Sequence, residues 1–583
     1  MAITKKPFAA LAAAALAVSL AACGGGDDDD NGGGGSGNNE AEGAKGGTAI
    51  FYNGPRNSEH LDPQRMYIGR DLNNFGRLVY RSLVALPASN DPVEGVTPVA
   101  DLATDTGQTE DGGMSWSFTI KDDVKWEDGK PITCEDFAYG ASRNFATDVI
   151  IGGPSNYLFT YLDIPKGDDG LPAYKGPYTG EGQELFDKAV TCDGNTITYH
   201  MQKPWPDFPL SIAQLRYLDP YRQDVDKGDA NNFVIFSNGP YKLDGDWTEG
   251  TGGTFVRNEN WDEASDPIRK ALPDKWEFRE GDEDEAIYEQ LFADSGDAQY
   301  GVTERRIPPT FYGRIPEAED RYTQVESPYV DYVLPNFNSP VFSKLPCREA
   351  LALATSKASW IQAGGGDKAF KPAYSIVNPS VPGYTENPAF ADIPDEGDAD
   401  AAAAKLEECG VPTPVKIKLT YSGGTPTSDK QARALKEAWD KAGFETELDP
   451  LEDTYYDVIQ KPDADFDVVW AGWGADWASI GTVIPPLLDS RINITPSSNG
   501  NDYGNYKGGP EVDSMIDAAY AEPDLDKAAE LWAAVDAKLG QDVAYIPLEI
   551  TIFNFLHGSK VTGYVNDANV NGYADLALIG VES

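Results

Sequence analysis

Catalysis needs reactive side chains at workable spacing, and this chain supplies few. Its three histidines, His60, His200 and His557, lie far apart, and none belongs to a His-x-x-x-His or Cys/His arrangement. No metal site is therefore predicted. A Gly-x-Ser-x-Gly elbow for a serine hydrolase is absent. Asp105-Thr106-Gly107 occurs as a single copy in a polar stretch, whereas an aspartic protease needs two facing carboxylates, so it reads as a surface turn. Gly364-Gly365-Gly366 lacks the strand-to-helix setting of a phosphate loop. Acids are abundant enough to supply the two carboxylates of a glycosidase, but nothing singles out a pair. No catalytic residue and no cofactor are assigned, and a secreted hydrolase stays as the alternative from another class.

The charge balance removes further partners. The 583 residues hold 95 Asp+Glu against 47 Lys+Arg, a formal charge of −48. Binding to nucleic acid, which needs basic side chains against phosphates, is disfavoured, as is docking to anionic lipid through a basic patch. Only Asp27 to Asp30, Glu40 and Glu42 of the acids precede residue 47, so the excess belongs to the body of the chain. With 40% hydrophobic and 11% aromatic residues, that body can bury a large core.

The start of the chain reads as an address. Lys5 and Lys6 precede an apolar stretch from Pro7 to Leu20, shorter than the roughly 20 residues that a membrane span requires. Leu20-Ala21-Ala22-Cys23 resembles a bacterial lipobox. Cleavage before Cys23 and acylation of that cysteine are expected, giving a membrane anchor with more than one chain. Residues 24–47, rich in Gly, Asp and Asn, form a flexible tether. Four cysteines then remain. Export and an even count favour two disulfides, with nearest-neighbour pairing of Cys134 with Cys192 and Cys347 with Cys409 preferred among three connectivities. Buried free thiols are the alternative.

The elements behind these residues are of mixed type. Leu72, Phe75, Leu78, Val79 and Leu83 recur at helical spacing from Asp71 to Leu86, with Pro87 as a stop. Trp116, Phe118 and Ile120 alternate and are followed by Val124 and Trp126, a pattern that predicts a hairpin. Thr133 to Asp136 resembles a capping box, and Ile197, Tyr199 and Met201 mark another strand. Further on, a helix from Ala401 to Cys409, a strand from Val415 to Tyr421, a helix from Asp429 to Ala442 and a strand from Phe444 follow one another, with a buried strand at Val468 to Ala471. This rhythm predicts βαβ units and an α/β fold.

Several blocks, taken in order, resemble the extracellular solute-binding proteins of bacterial ABC importers, family 5. They are Gly46 to Ile50 with Leu61-Asp62-Pro63, the long run Trp116 to Phe137, Asn238 to Leu243 with Arg257-Asn258 and Trp261, Phe337-Asn338, Arg348 to Leu351, and Phe466 to Val469 leading into Gly472-Trp473-Gly474-Ala475-Asp476. The resemblance implies a two-lobe periplasmic-binding-protein-like fold with paired hinge strands and an inserted domain. The expected organisation is a signal at 1–22, a tether at 23–46, and a first lobe from 47–85, 238–331 and 549–583. The insertion is placed at 86–237 and the second lobe at 332–548. It also implies a monomeric, lipid-anchored receptor that takes up oligopeptides and serves an ABC permease. In peptide-binding members the aspartate of this last motif, here Asp476, pairs with the ligand's α-ammonium, and Gly472 and Trp473 line the same pocket. Some members carry an arginine for the peptide carboxylate six residues earlier, where this chain has Trp470. Trp470, Trp473 and Trp477 together keep an oligosaccharide ligand in view. A metal chelate is the remaining alternative.

Overall fold

A computed structural model describes residues 43–582, apart from 55–57, 90, 92, 168–169, 452–454, 492–498 and 567–570. Cys23, the signal and most of the tether lie outside the described residues. Three principal sheets organise the rest. The first runs in the order Gly301–Thr303, Thr48–Gly54, Lys275–Glu280, Gly252–Arg257, Tyr241–Leu243. Its first three strands are parallel and the outer two are added antiparallel. Lys275–Glu280 buries every second residue, Trp276, Phe278 and Glu280, as expected of a strand with one covered face.

The second sheet has six strands, in the order Phe370–Pro372, Ile546–Leu556, Tyr322–Pro335, Val468–Gly474, Val415–Ser422, Phe444–Leu451. Its last two strands are parallel and are joined by the helix Pro426–Lys441. Thr425 caps that helix by accepting from the Ser428 N–H, and Ala432, Leu435 and Trp439 are its fully buried stripe. This is the βαβ unit expected from the sequence. The third sheet is smaller and antiparallel, with Thr196–His200 between Ser115–Thr119 and Val190–Asp193.

Two long strands join the halves. Tyr322–Pro335 and Ile546–Leu556 pair antiparallel with register shifts near Glu326 to Val330 and near Asp331. Along their length they change cores. Tyr332, Val333, Leu334, Ile546 and Leu548 pack with the second sheet, while Leu556 packs with Ile50 and Tyr52 of the first. The first and third sheets share one continuous core, so the insertion is built onto the first lobe rather than tethered to it.

Two sequence expectations need correction. The hairpin from Trp116 to Trp126 does not form. Ser115–Thr119 pairs with Thr196–His200, and the tight turn lies at Trp126 to Lys130, where the Trp126 N–H donates to the Lys130 carbonyl. Alternation identified the strands, but their partner was eighty residues away. The helix expected over Asp71 to Leu86 spans only Gly69–Leu78. Beyond it the Val79 carbonyl accepts from the N–H groups of Asn238 and Gly239 and from the Ser237 hydroxyl, so this tertiary pairing replaces the helical one. The capping box is present: Thr133 accepts from the Asp136 N–H at the start of helix Cys134–Arg143.

Disulfides join Cys134 to Cys192 and Cys347 to Cys409, with Cα separations of 5.9 and 5.2 Å. The first ties the capped helix to the insertion's sheet, and the second ties the helices Leu345–Ala354 and Ala399–Cys409 of the second lobe. Among the described residues no helix is long and apolar enough to cross a membrane.

Candidate functional site

The strand Val468–Gly474 ends in two glycines for a steric reason. Antiparallel register sets Gly472 opposite Asp331 and Gly474 opposite Tyr329. Oδ1 of Asp331 occupies the space a Cβ on Gly472 would take, and the Tyr329 ring lies 2.6 Å from an ideal Cβ on Gly474. Facing side chains therefore lean over a bare backbone. That backbone is also open on one edge. Tyr329 to Val333 pair with Trp470 to Gly474 on one side, but on the other Val415–Ser422 reaches only Val468 and Val469. Among the described residues no strand covers the second edge of Trp470 to Gly474, and such an edge is a template for an extended chain.

This edge borders a cavity of about 440 Å³ whose walls include Tyr67, Tyr329, Gly472, Trp473, Asp476 and Tyr503. The lining draws on both halves of the molecule. Trp473 is held by its indole N–H, which donates to the Thr482 carbonyl at 3.0 Å. The Asp476 N–H donates to the Thr482 hydroxyl at 3.1 Å, so one threonine sets both residues.

Asp476 carries the main polar feature of the cavity. Its Oδ2 accepts from the Tyr67 hydroxyl at 2.8 Å and from the Tyr157 hydroxyl, and no hydrogen bond to Oδ1 is formed among the described residues. Burial pushes this carboxyl up to about 6, against the opposing pull of the two tyrosines. Among the described residues no guanidinium or ammonium pairs with it. Next in sequence, Trp477 enters the core shared by the first sheet and the insertion. It packs 4.8 Å from Tyr157 and donates to Asp207 at 2.6 Å. The motif therefore joins the lobes across the cleft.

Of the expected site residues, Gly472, Trp473 and Asp476 meet at one cavity. The three tryptophans do not form a common stacking platform. Trp477 is buried in the other lobe's core, and Trp470 meets Trp360 edge-on at 4.5 Å. Tyr67 and Tyr157 were not anticipated. They lie 409 and 319 residues from Asp476, and no local pattern marks them. A neighbouring groove of about 610 Å³, walled by Leu210, Tyr384, Leu525 and Trp532 among others, is more apolar. Its buried carboxylate, Asp207, is already taken by Trp477, so it offers less to orient a ligand.

Comparison with known proteins agrees with this architecture. The chain is 25% identical over 531 residues to the periplasmic oligopeptide-binding protein OppA of Salmonella typhimurium, covering 87% of this chain and 88% of that one. It is 23% identical over 512 residues to the oligopeptide-binding protein OppA of Bacillus subtilis, covering 84% and 85%. Among solved structures, the clavulanic acid biosynthesis oligopeptide binding protein 2 superposes with a TM-score of 0.84 at 26% identity, over 93% of this chain and 96% of that one. Residues 97–495 match the family described as bacterial extracellular solute-binding proteins, family 5 Middle. That match spans more than half of the chain, and the chain belongs to family 5 of the bacterial extracellular solute-binding proteins.

Proposed function

We propose that this protein captures oligopeptides in the cleft between its lobes and delivers them to an ABC permease, as a monomer tethered to the membrane by acylated Cys23. The observation that carries the peptide reading is the pairing of an uncovered strand edge, Trp470 to Gly474, with an uncompensated carboxylate, Asp476, at its end. A peptide laid along that edge gains main-chain hydrogen bonds whatever its side chains. Its α-ammonium would replace the two tyrosine hydroxyls or join them at the free Oδ1. The long strands Tyr322–Pro335 and Ile546–Leu556 would act as the hinge. Names of relatives point the same way, since two at 25% and 23% identity and a solved structure at 26% are called oligopeptide-binding or oligopeptide binding proteins. A sugar ligand receives less support, because two of the three tryptophans that suggested it, Trp470 and Trp477, are spent on packing.

Titration calorimetry of the purified protein with Ala-Ala-Ala-Ala and with a mixed tetrapeptide library tests the reading. Saturable one-to-one binding with the peptide recovered intact is expected. No binding by any peptide would overturn it. For the anchor, Cys23→Ser should release the protein from the membrane fraction.

A further inference from the structure

A second feature of the same cleft departs from simple main-chain recognition. Asp331 stands in register opposite Gly472 on one side and opposite Glu549 on the other, so the two carboxylates share one face of the sheet. Asp331 is partly exposed, and its Oδ1 lies over Gly472, which lines the cavity. Its Oδ2 accepts the Trp470 indole N–H at 3.0 Å. Glu549 is 2% exposed, and its Oε2 has no hydrogen-bond partner.

Two acids side by side in a sheet repel, and a buried charge without a partner is costly. Here no ion pair relieves them among the described residues. Arg306 lowers both carboxyls through space but is itself exposed, with its guanidinium 5.8 Å over the Phe553 ring. Burial raises the Asp331 carboxyl to about 6, and burial together with the Asp331 charge raises Glu549 well above the usual range. Burial thus favours a proton on Glu549, which a bound cation would displace.

We propose that Asp331 and Glu549 form a cationic subsite of the ligand cleft, which receives the guanidinium or ammonium of a basic side chain. The inference rests on the peptide reading and narrows it to peptides with a basic residue near the amino terminus. Gly472 precedes Asp476 by four residues, roughly 13 Å of extended chain at about 3.3 Å per residue. The ammonium and the basic side chain would therefore lie a few residues apart. Guanidinium fits best, because its planar fork can serve two carboxylates.

The test is calorimetry with tetrapeptides of alanine carrying one arginine at position two, three or four, each compared with its citrulline counterpart, which is neutral and of the same shape. At one position arginine should bind at least tenfold more tightly, and that ratio should collapse toward one in Glu549→Gln and in Asp331→Asn. Either variant suffices if the other does not fold, as judged by its melting curve. A ratio below tenfold at every position, or one that survives both substitutions, overturns the subsite. If no tetrapeptide binds, the peptide reading fails, and agmatine becomes the probe. Binding of agmatine that is lost in both variants would retain the subsite, and absence of agmatine binding would overturn it.

Discussion

Buried carboxylates occupy two regions of this protein under opposite conditions. Beneath the first sheet, Asp101 faces Arg81 at 2.8 Å and Arg269 at 3.0 Å, and Asp266 faces Arg269 at 3.1 Å, all at most 2% exposed. Arg143 likewise bridges Asp62 and Asp226. The guanidinium groups hold Asp266 and Asp226 below the usual carboxylate range despite their burial. At the cleft end of the second sheet, half-buried Asp476 and Asp331 and buried Glu549 have no such partner among the described residues and are all raised. A buried acid matched by arginine fastens segments together. One left unmatched keeps its capacity for charge pairing in reserve for a ligand.

The largest effect should come from breaking the matched region. Arg269→Ala would leave Asp101 and Asp266 with Arg81 alone and also remove bonds from the guanidinium to the carbonyls of Gly76 and Tyr80. A loss of about 3–5 kcal/mol is expected in urea unfolding. Glu549→Gln, which replaces an unmatched buried acid at nearly constant volume, should leave stability unchanged or higher. Equal destabilisation by the two substitutions would dissolve the distinction.

Next in size is Asp476→Asn. Loss of a charge-assisted bond to the α-ammonium should weaken Ala-Ala-Ala-Ala by roughly 1.5–3 kcal/mol, about ten- to hundredfold. The melting temperature should hold, because the amide oxygen can still accept from Tyr67 and Tyr157. Unchanged affinity would remove the ammonium role.

How far such a site can be read from sequence depends on the range of its interactions. Gly472, Trp473 and Asp476 lie within five residues of one another, and their block was legible, as was the βαβ unit around Thr425 and Trp439. Tyr67 and Tyr157 were not, since they reach Asp476 only after the lobes meet. Asp331 and Glu549 become a pair through strand register alone, and neither carries a local signature. The same limit explains the misplaced hairpin, where alternation located Ser115–Thr119 but could not choose Thr196–His200 as its partner.

A smaller effect should appear in the pH dependence. The Asp476 carboxyl is raised to about 6 from an ordinary 3.8. Its contribution to stability is therefore complete below the unfolded value and lost as pH rises through about 6. Binding runs the other way, because the ammonium needs the ionised form. Affinity for Ala-Ala-Ala-Ala should rise with pH, level off above about 7, and fall toward tenfold per unit well below 6. Asp476→Asn should flatten this profile, and a profile that stays steep in the variant would assign the titration elsewhere.

The subtlest test separates the carboxylate from its tyrosines. Tyr67 and Tyr157 both donate to Oδ2 and both lower the Asp476 carboxyl against burial. Tyr67→Phe removes one donor and leaves the ring in the cavity wall. Above pH 7, where Asp476 is ionised in either protein, affinity should change by only about 0.5–1.5 kcal/mol. With less stabilisation of its charge, however, the carboxyl should move further up, carrying the midpoint of the binding profile to higher pH. Arg269→Ala, which removes a guanidinium bonded to Asp101, Asp266, Gly76 and Tyr80 rather than to Asp476 or its tyrosines, should leave that midpoint in place at temperatures where it remains folded. A shift in Arg269→Ala and none in Tyr67→Phe would mean that the electrostatics of the cleft are set by the fold as a whole rather than by the groups that touch Asp476.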